Sequence, residues 1–321
     1  MRRCAAAVTA VVALAAAAGC SGPGVALPEI ALPEAPPAVA ASAAPADTSC
    51  NPKASLRPSG SLPAPGKMPA GSFMREIQDS GALTLGTGQD ALLFSSRNPI
   101  TGTVEGFDVD VARLVAQAIF GDPSKIKIQV MGYADRVTAV EEGRVDVVAG
   151  TLTATCVRLR QIDFSTVYFQ AAKRVLVSTG SQAKSLGDLA GSRVCAAQGS
   201  TSMLALTELA AKQEKHPEPA ARATFGECLV ALQRNEVEAI SGDDAVLAGL
   251  AAQDPYTRIV GPRMSEEPYA IGTSKEHPEF TRFVNAVLAE ARADGTWTRT
   301  YDRWLGDVGA APKPPVAEYK D

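Results

Sequence analysis

The chain has 321 residues, which is enough for two domains of ordinary size. A composition of 46% hydrophobic and 21% charged residues is that of a globular protein, and a net charge of −4 without a basic run argues against nucleic-acid binding. The sequence contains no CxxC motif and no cysteine–histidine cluster, so we predict neither a metal site nor a cofactor.

The first residues have the pattern of a targeting segment. Arg2 and Arg3 are followed by an apolar stretch at 5–18, which is too short to span a bilayer. It ends at Cys20 in a sequence that resembles a bacterial lipobox, although Ala17 stands where leucine is usual. We predict a signal peptide at 1–19 and a lipid on Cys20 that anchors the protein to the outer face of the cell membrane. Ordinary signal-peptidase cleavage is the alternative.

Two segments outside the globular region have compositions typical of disorder. Residues 21–71 contain 11 of the 22 prolines, interspersed with alanine, serine and glycine. Such a stretch buries too little apolar surface to offset its chain entropy. We therefore predict a disordered tether at 20–71 and, for the same reason, a disordered tail at 307–321.

The cysteines suggest disulfide bonds. Once the signal peptide and the lipidated Cys20 are set aside, four of the six cysteines remain. An even number in an exported chain favours disulfides, and four cysteines allow three pairings. Of these we favour Cys195–Cys228 together with Cys50–Cys156.

The globular region begins with alternating strands and helices. A strand at 83–87 precedes a helix that Asp108 is placed to cap and that runs to about Phe120. A strand at 125–130, a helix at about 135–142 and an apolar strand at 145–149 follow. This β-α-β-α-β order predicts a parallel sheet.

The strand at 145–149 ends in small and hydroxylated residues. Gly150, Thr151 and Thr153 follow it, and Arg158 comes shortly after. Ligands of open α/β sheets bind outside the carboxyl ends of the strands, and a guanidinium matches the geometry of a carboxylate. This strand end is therefore a candidate carboxylate receptor; the alternative is that Arg158 is a solvated surface charge.

Three separated motifs carry a family resemblance. GFDVD at 106–110, VDVVAGTLTATCVR at 145–158 and DFS at 163–165 resemble, in this order, the family 3 extracellular solute-binding proteins. The resemblance runs from about Leu83 to Leu305 and is close to the actinobacterial glutamine- and glutamate-binding lipoproteins.

The resemblance implies a fold. It is the α/β, two-lobe periplasmic-binding-protein fold of type II, in which each lobe is a parallel-rich sheet flanked by helices and a two-strand hinge joins the lobes. Lobe 1 would consist of residues 72–170 and 268–306, and lobe 2 of residues 171–267.

The resemblance also implies a ligand site. The α-carboxylate of an amino acid would contact Arg158, Thr153 and the turn at Ser200 and Thr201. The ammonium would contact Asp243 and the backbone near Thr151 and Gly150. The neighbouring Asp244 would cap the next helix.

Arg136 extends this prediction to the ligand's side chain. In the glutamate- and aspartate-binding branch, an arginine 15 residues before the first hydroxyl position contacts the side-chain carboxylate. Arg136 and Thr151 keep that spacing. The alternative is a solvated charge in the first turn of a helix.

Three functions compete. The first is a monomeric extracytoplasmic receptor that delivers glutamate, aspartate or their amides to an ABC permease and its ATPase. The second is a receptor of the same fold that reports amino-acid levels to a membrane sensor protein. The third is an enzyme, since a few proteins of this scaffold are dehydratases. His216 and His277 each precede a proline and no nucleophile–base set is evident, so we predict no enzymatic activity.

Overall fold

The computed structural model describes residues 50–321. The predicted signal peptide, the lipidation site at Cys20 and the first part of the predicted tether lie outside the described residues. Within residues 50–321, none of the helices has the length and apolarity needed to cross a bilayer.

The first part of lobe 1 alternates short strands with helices. In chain order its elements are β1 (Ala54–Ser55), α1 (Phe73–Ser80), β2 (Leu83–Thr87), β3 (Asp90–Ala91), β4 (Ser95–Arg97), β5 (Val104–Glu105), α2 (Phe107–Phe120), β6 (Ile126–Val130), α3 (Arg136–Glu141), β7 (Val147–Val148), α4 (Cys156–Leu159) and β8 (Asp163–Phe164).

Lobe 2 follows without interruption, and the chain then returns to lobe 1. Lobe 2 comprises β9 (Phe169–Ser178), a 3₁₀ turn (Leu186–Leu189), β10 (Arg193–Ala197), α5 (Thr201–Lys212), β11 (Glu218–Arg222), α6 (Phe225–Gln233), β12 (Ala239–Asp243), α7 (Asp244–Gln253), β13 (Thr257–Val260) and β14 (Glu266–Tyr269). The return consists of β15 (Gly272–Thr273), α8 (Pro278–Ala293), α9 (Thr296–Leu305) and β16 (Glu318–Tyr319).

Each lobe is built on one mixed sheet. The strand order in lobe 1 is β6-β2-β7-β15-β8, with β6, β2 and β7 parallel and β15 antiparallel to both of its neighbours. The order in lobe 2 is β11-β10-β12-β9-β13, in which β11, β10 and β12 are parallel and β9 is antiparallel to its neighbours. A small sheet of β3, β4 and β5 packs with lobe 1 through buried Phe94 and Val104. The predicted α/β class is confirmed.

Two neighbouring strands connect the lobes. The chain leaves lobe 1 between β8 and β9 and comes back between β14 and β15. At the crossing β14 pairs antiparallel with β9, and Tyr269 lies opposite Phe169. Because few residues cross and the two segments share a hydrogen-bonded ladder, this is the predicted two-strand hinge.

The start of α2 depends on a glycine and a buried carboxylate. Gly106 has a φ of 139°, and a Cβ there would lie 2.3 Å from the carbonyl oxygen of Phe94, so only glycine fits. The helix begins at Phe107, so the prediction that Asp108 caps it is wrong. Asp108 lies in the first turn, fully buried, because its carboxylate has partners elsewhere in lobe 1.

The two segments predicted to be disordered are ordered where the structure describes them. β16 of the tail pairs in parallel with β1 of the tether segment. The last residue, Asp321, forms an ion pair with Arg282 at 2.5 Å, and Met68 is buried in the core of lobe 1. Composition misled here because each segment lacks a core of its own but finds one by packing on lobe 1.

Both favoured disulfides are present. Cys195 joins Cys228, which ties β10 to α6, and Cys50 joins Cys156, which ties the N-terminal segment to α4. The second bond lies two residues from Arg158, so the described part of the chain begins beside the candidate site.

Candidate functional site

A small polar cavity lies between the lobes at the hinge. Its volume is about 10 Å³, so in this closed arrangement it has room for about one water molecule. Lobe 1 and lobe 2 contribute equally to its lining, which is Tyr133, Arg136, Thr151, Thr153, Arg158, Ser200, Thr201, Ser202, Phe225 and Asp243. All but one of the eight predicted ligand residues are among them. The exception is Gly150, whose carbonyl lies behind the cavity and accepts a hydrogen bond from Arg136.

The topology explains why residues so far apart in sequence meet. Thr151 and Thr153 follow β7, Ser200 and Thr201 follow β10, and Asp243 ends β12. The carboxyl ends of the parallel strands in each lobe face the gap between the lobes, which is where ligands of α/β sheets bind. The hinge therefore brings two such edges against each other.

Thr151 has a strained backbone that the structure holds in place. Its φ of 47° is in the left-handed region, which β-branched residues rarely adopt. Its N–H donates to Asp108 Oδ2 at 2.7 Å, and Tyr168 donates its hydroxyl to the other oxygen of Asp108 at 2.6 Å. Burial raises the pKa of Asp108 to about 6, and these two hydrogen bonds oppose that rise. Strain of this kind typically occurs at binding sites.

Arg158 connects the two lobes. Its guanidinium donates to the carbonyl of Thr153 at 2.7 Å in lobe 1 and to the carbonyl of Gly199 at 3.0 Å in lobe 2. A guanidinium has five N–H groups, so it can offer others to a carboxylate. Burial, and after it the neighbouring charge of Arg136, lowers the pKa of Arg158 to about 9.

Arg136 is buried rather than solvated. Only 2% of its surface is exposed, and its Nε donates to the carbonyl of Tyr133 at 3.1 Å. The guanidinium carbon lies 4.5 Å from the centre of the Tyr133 ring, which is a cation–π contact. Burial lowers the pKa of Arg136, and nearby Tyr133, Tyr269 and Asp243 oppose that decrease. A buried guanidinium at the wall of a cavity is suited to an anionic group.

The structure separates the two adjacent aspartates. Asp243 Oδ2 accepts from the Tyr269 hydroxyl at 2.8 Å, whereas its Oδ1 is buried without a hydrogen-bond partner among residues 50–321. Burial, and after it the charge of Glu267, raises the pKa of Asp243 to about 7. Asp244 is the first residue of α7 rather than its cap, and it accepts from the backbone of Ala172, because β9 runs beside the helix start.

Ser200 and Thr201 lie at the start of helix α5. Ser200 is the N-cap of α5, and its Oγ accepts from the Met203 N–H at 3.1 Å. The N–H groups at such a helix start, together with the positive end of its dipole, favour an anion. Ser202 Oγ is also buried without a hydrogen-bond partner in the described part of the chain.

Sequence reasoning missed several residues at or behind the cavity. Tyr133 and Phe225, one from each lobe, pack edge to face across it with ring centres 5.3 Å apart. Lys173 and Glu267 form an ion pair at 2.8 Å immediately behind Thr153. The signal for Lys173 was present, because a lysine within the apolar strand at 171–177 is rarely buried unless it is paired.

A larger cavity lies elsewhere, and the charged residues in its lining, which include Lys53 and Arg263, are not buried. It has a volume of about 650 Å³ and lies beside hinge strand β9, under the C-terminal segment. Its walls include Phe94, Phe169, Trp297 and Tyr301, which are apolar or aromatic. We assign the candidate site to the smaller cavity because the buried charges converge there.

Asp90 forms an additional contact between the lobes. Its Oδ2 accepts from the N–H groups of Phe225 and Gly226 at 3.0 and 3.3 Å, at the start of helix α6 in lobe 2. Burial raises the pKa of Asp90, and these two hydrogen bonds oppose the increase. Asp90 is not part of the cavity lining, although Phe225 is. The contact therefore depends on lobe closure and not on the identity of a ligand.

Replacing Asp90 with alanine is expected to weaken the binding of every ligand of the cavity by the same factor. Loss of an N-terminal helix cap costs about 1 kcal/mol, which corresponds to roughly fivefold in the dissociation constant. Calorimetry with glutamate and glutamine measures this, and Asp90→Asn, which keeps an acceptor oxygen, should bind nearly as well as the natural protein. A selective loss for one ligand would instead mean that Asp90 contacts the ligand.

Comparison with known proteins agrees with this geometry. The sequence profile of the bacterial extracellular solute-binding proteins, family 3, matches residues 83–307. The chain belongs to this family. Proteins of this kind are solute-binding receptors of ABC transporters and act outside the cytoplasm, so the protein is a receptor and not an enzyme.

Individual relatives differ in the ligand that their names give. The chain is 32% identical over 232 residues to the ABC transporter glutamine-binding protein GlnH of Bacillus subtilis, covering 71% of this chain and 83% of that protein. It is 29% identical over 245 residues to the glutamate-binding protein GluB of Corynebacterium glutamicum, covering 71% and 80%. A solved ancestral arginine-binding protein bound to glutamine shares 32% identity with a TM-score of 0.65, covering 70% of this chain and 98% of that one.

Proposed function

We propose that this solute-binding protein is a receptor for an acidic amino acid, glutamate or aspartate, and that it delivers this ligand to an ABC importer. Its relatives support amino-acid binding in general, and the charges of the cavity support the acidic class. A lipid on Cys20 would keep the receptor at the outer face of the membrane, close to the permease.

The observation that carries the proposal is the set of charges around the cavity. The cavity lining contains two guanidiniums, the buried Arg136 and the half-buried Arg158, together with one carboxylate, Asp243. Buried charges are costly unless they are paired, so the best ligand is one whose charges complement this set. An acidic amino acid has one positive and two negative groups and balances all three side chains. Glutamine would leave one guanidinium without a counter-charge.

Each charged group of the ligand has a partner in this arrangement. The α-carboxylate would bind Arg158 and the N–H groups at the start of α5, including that of Thr201. The ammonium would bind Asp243, whose Oδ1 lacks a partner within residues 50–321. The side-chain carboxylate would bind Arg136. Hydrogen bonds of this charged type contribute roughly 1.5–3 kcal/mol each, which after the cost of lost freedom is compatible with micromolar or tighter binding.

Ligand binding would be coupled to closure of the lobes. Arg136 and Arg158 belong to lobe 1, whereas Thr201 and Asp243 belong to lobe 2. Because a ligand between them contacts both halves only when the lobes are together, it stabilises the closed form by its differential affinity. A permease could then distinguish the loaded receptor from the open one by its shape.

Replacing Arg136 with glutamine is expected to weaken glutamate and aspartate binding by roughly 10-fold to 100-fold while changing glutamine binding by less than about threefold. The reason is that only the acidic ligands place a carboxylate against this guanidinium. Calorimetry of the variant with all three amino acids checks this, with Arg136→Lys as the charge-conserving control. An unchanged order of preference would contradict the assigned role.

Transport can be separated from sensing in a deletion strain. Loss of acidic amino-acid uptake, restored by the natural gene, supports the importer. Intact uptake with loss of a cellular response to the amino acid would assign the receptor to a membrane sensor protein instead. Mass spectrometry of the mature protein, purified from the strain with the restored gene, tests the lipid on Cys20.

A further inference from the structure

Glu267 lies at the centre of a buried hydrogen-bond network that connects both lobes at the hinge. Its carboxylate is 3% exposed and lies on strand β14. Oε1 accepts from Lys173 Nζ at 2.8 Å and from Ser265 Oγ at 2.6 Å. Oε2 accepts from the hydroxyls of Thr153 and Thr201, each at 2.9 Å. A carboxylate offers about four lone-pair sites, so these four donors saturate it.

The two threonines that donate to Glu267 also line the cavity. Thr153 belongs to lobe 1 and Thr201 to lobe 2. A hydroxyl has a single proton, and in both residues that proton is directed at Glu267. What each hydroxyl can offer toward the cavity is therefore a lone pair. Both hydroxyls act there as acceptors, which suits an ammonium and does not suit a carboxylate.

The negative charge of Glu267 fixes the direction of the hydrogen bonds from the two threonine hydroxyls. Burial raises the pKa of Glu267, but the ion pair with Lys173 and the hydrogen bonds from Ser265 and Thr201 outweigh it, and the pKa is lowered overall. The group is therefore ionised and can only accept. A neutral amide or acid at this position could also donate, and the threonine protons would then be free to turn toward the cavity. Lys173 additionally donates to the carbonyl of Thr201 at 3.2 Å, which holds the pair against helix α5.

We propose that the buried Lys173–Glu267 pair is a positioning element that fixes the hydroxyls of Thr153 and Thr201 as hydrogen-bond acceptors toward the cleft, so that the site selects ligands with an ammonium group. The inference rests on the proposed amino-acid receptor. It assigns to the Thr153 hydroxyl a role toward the ammonium, whereas the family resemblance implies contact with the α-carboxylate. Arg158 and the N–H groups of α5 remain as the carboxylate donors.

The test compares L-glutamate with glutarate, which has both carboxylates but no ammonium. The double variant Lys173→Met with Glu267→Leu removes both buried charges at once and so leaves no unpaired charge, a replacement that is often neutral for stability. In this variant the preference for glutamate over glutarate, measured as the ratio of dissociation constants, is expected to fall by at least about tenfold, or 1.4 kcal/mol. An unchanged ratio would overturn the proposal and leave the pair a purely structural feature.

Two single substitutions keep the proposal testable if the double variant fails to fold. Thr153→Val and Thr201→Val keep the side-chain shape and remove the hydroxyl, and each should lower the same ratio in the presence of the intact pair. When either threonine substitution is combined with the double variant, the ratio of dissociation constants should fall no further. The reason is that a hydroxyl released from Glu267 no longer contributes to the preference for glutamate. Full additivity would contradict the coupling.

If the natural protein binds no amino acid at all, the proposed function fails; if it binds and the ratio of dissociation constants does not respond, only the positioning role fails.

Discussion

Replacing Arg158 with alanine is expected to abolish measurable binding of every amino acid. Removing one partner of a buried charge pair costs roughly 3–5 kcal/mol, which corresponds to roughly a 100-fold to 5,000-fold weaker dissociation constant. The loss should be the same for acidic and amide ligands, because all of them share the α-carboxylate. It also removes the bridge from Thr153 to Gly199, so closure itself becomes less favourable. Calorimetry, or the shift of melting temperature on adding ligand, measures the effect.

Two further variants make this experiment specific. Arg158→Lys keeps the positive charge but loses the planar, bidentate geometry of the guanidinium, so binding should be partly retained. Arg144→Ala changes an exposed arginine of lobe 1 whose ion pair is with the exposed Glu142, and this variant should bind as the natural protein does. Tight binding by Arg158→Ala, with a normal melting temperature in the absence of ligand, would exclude Arg158 as the carboxylate partner and with it the proposed binding geometry.

The affinity for amino acids is expected to fall as the pH is lowered through about 7. The pKa of Asp243 in the closed arrangement is raised to about 7, first by burial and then by Glu267, so below this value the closed form without ligand holds a proton on Asp243. An ammonium needs the ionised form and therefore releases that proton on binding. The full affinity is present above the raised pKa and is lost below it, by up to about tenfold per pH unit.

Two neighbours of Asp243, Glu267 and Tyr269, do not supply the same pH dependence. Glu267, Lys173, Asp244 and Tyr269 all face it. The pKa of Glu267 is lowered and that of Tyr269 is raised well above its usual value, so neither group changes charge near neutral pH. Calorimetry in buffers of different ionisation enthalpy counts the protons released. Asp243→Asn should bind weakly and without this pH dependence, whereas an affinity in the natural protein that stays constant between about pH 5 and about pH 8 would contradict the role of Asp243.

Much of the fold was predictable because it follows from local patterns. Apolar strands that alternate with amphipathic helices indicate a parallel-rich α/β sheet. The hinged two-lobe arrangement was implied by the resemblance of the motifs, GFDVD and DFS among them, to the family 3 solute-binding proteins. An even number of cysteines in a chain predicted to be exported indicated disulfides, and the structure contains both favoured bonds. The ends of the strands were predictable for the same reason, since Thr151, Thr153 and Asp243 each follow an apolar run.

The roles of individual carboxylates were not predictable in this way. Asp108 has the position of a helix cap in the sequence, but it instead holds the backbone of Thr151 from a distance of 43 residues. Asp90 and Glu267 have no local signal for their contacts, which reach across the hinge to helix α6 and to both threonines. Whether a polar side chain caps, bridges or binds depends on which atoms the tertiary fold places within about 3 Å of it, and hydrogen bonds act only over that range.

The sequence by itself therefore determined the family, the two-lobe plan, the disulfide-forming cysteines and the residue types at the carboxyl ends of the strands. Only the tertiary structure decided that Arg136 is buried at the cavity, that Asp243 Oδ1 lacks a hydrogen-bond partner within residues 50–321, and that Lys173 and Glu267 lie behind the cavity. The terminal segments are a further example. Their composition predicts that they form no core of their own, but in the structure they pair with each other on lobe 1. Periodicity and composition report what a segment can do alone, whereas burial and hydrogen-bond partners depend on segments that are distant in the chain.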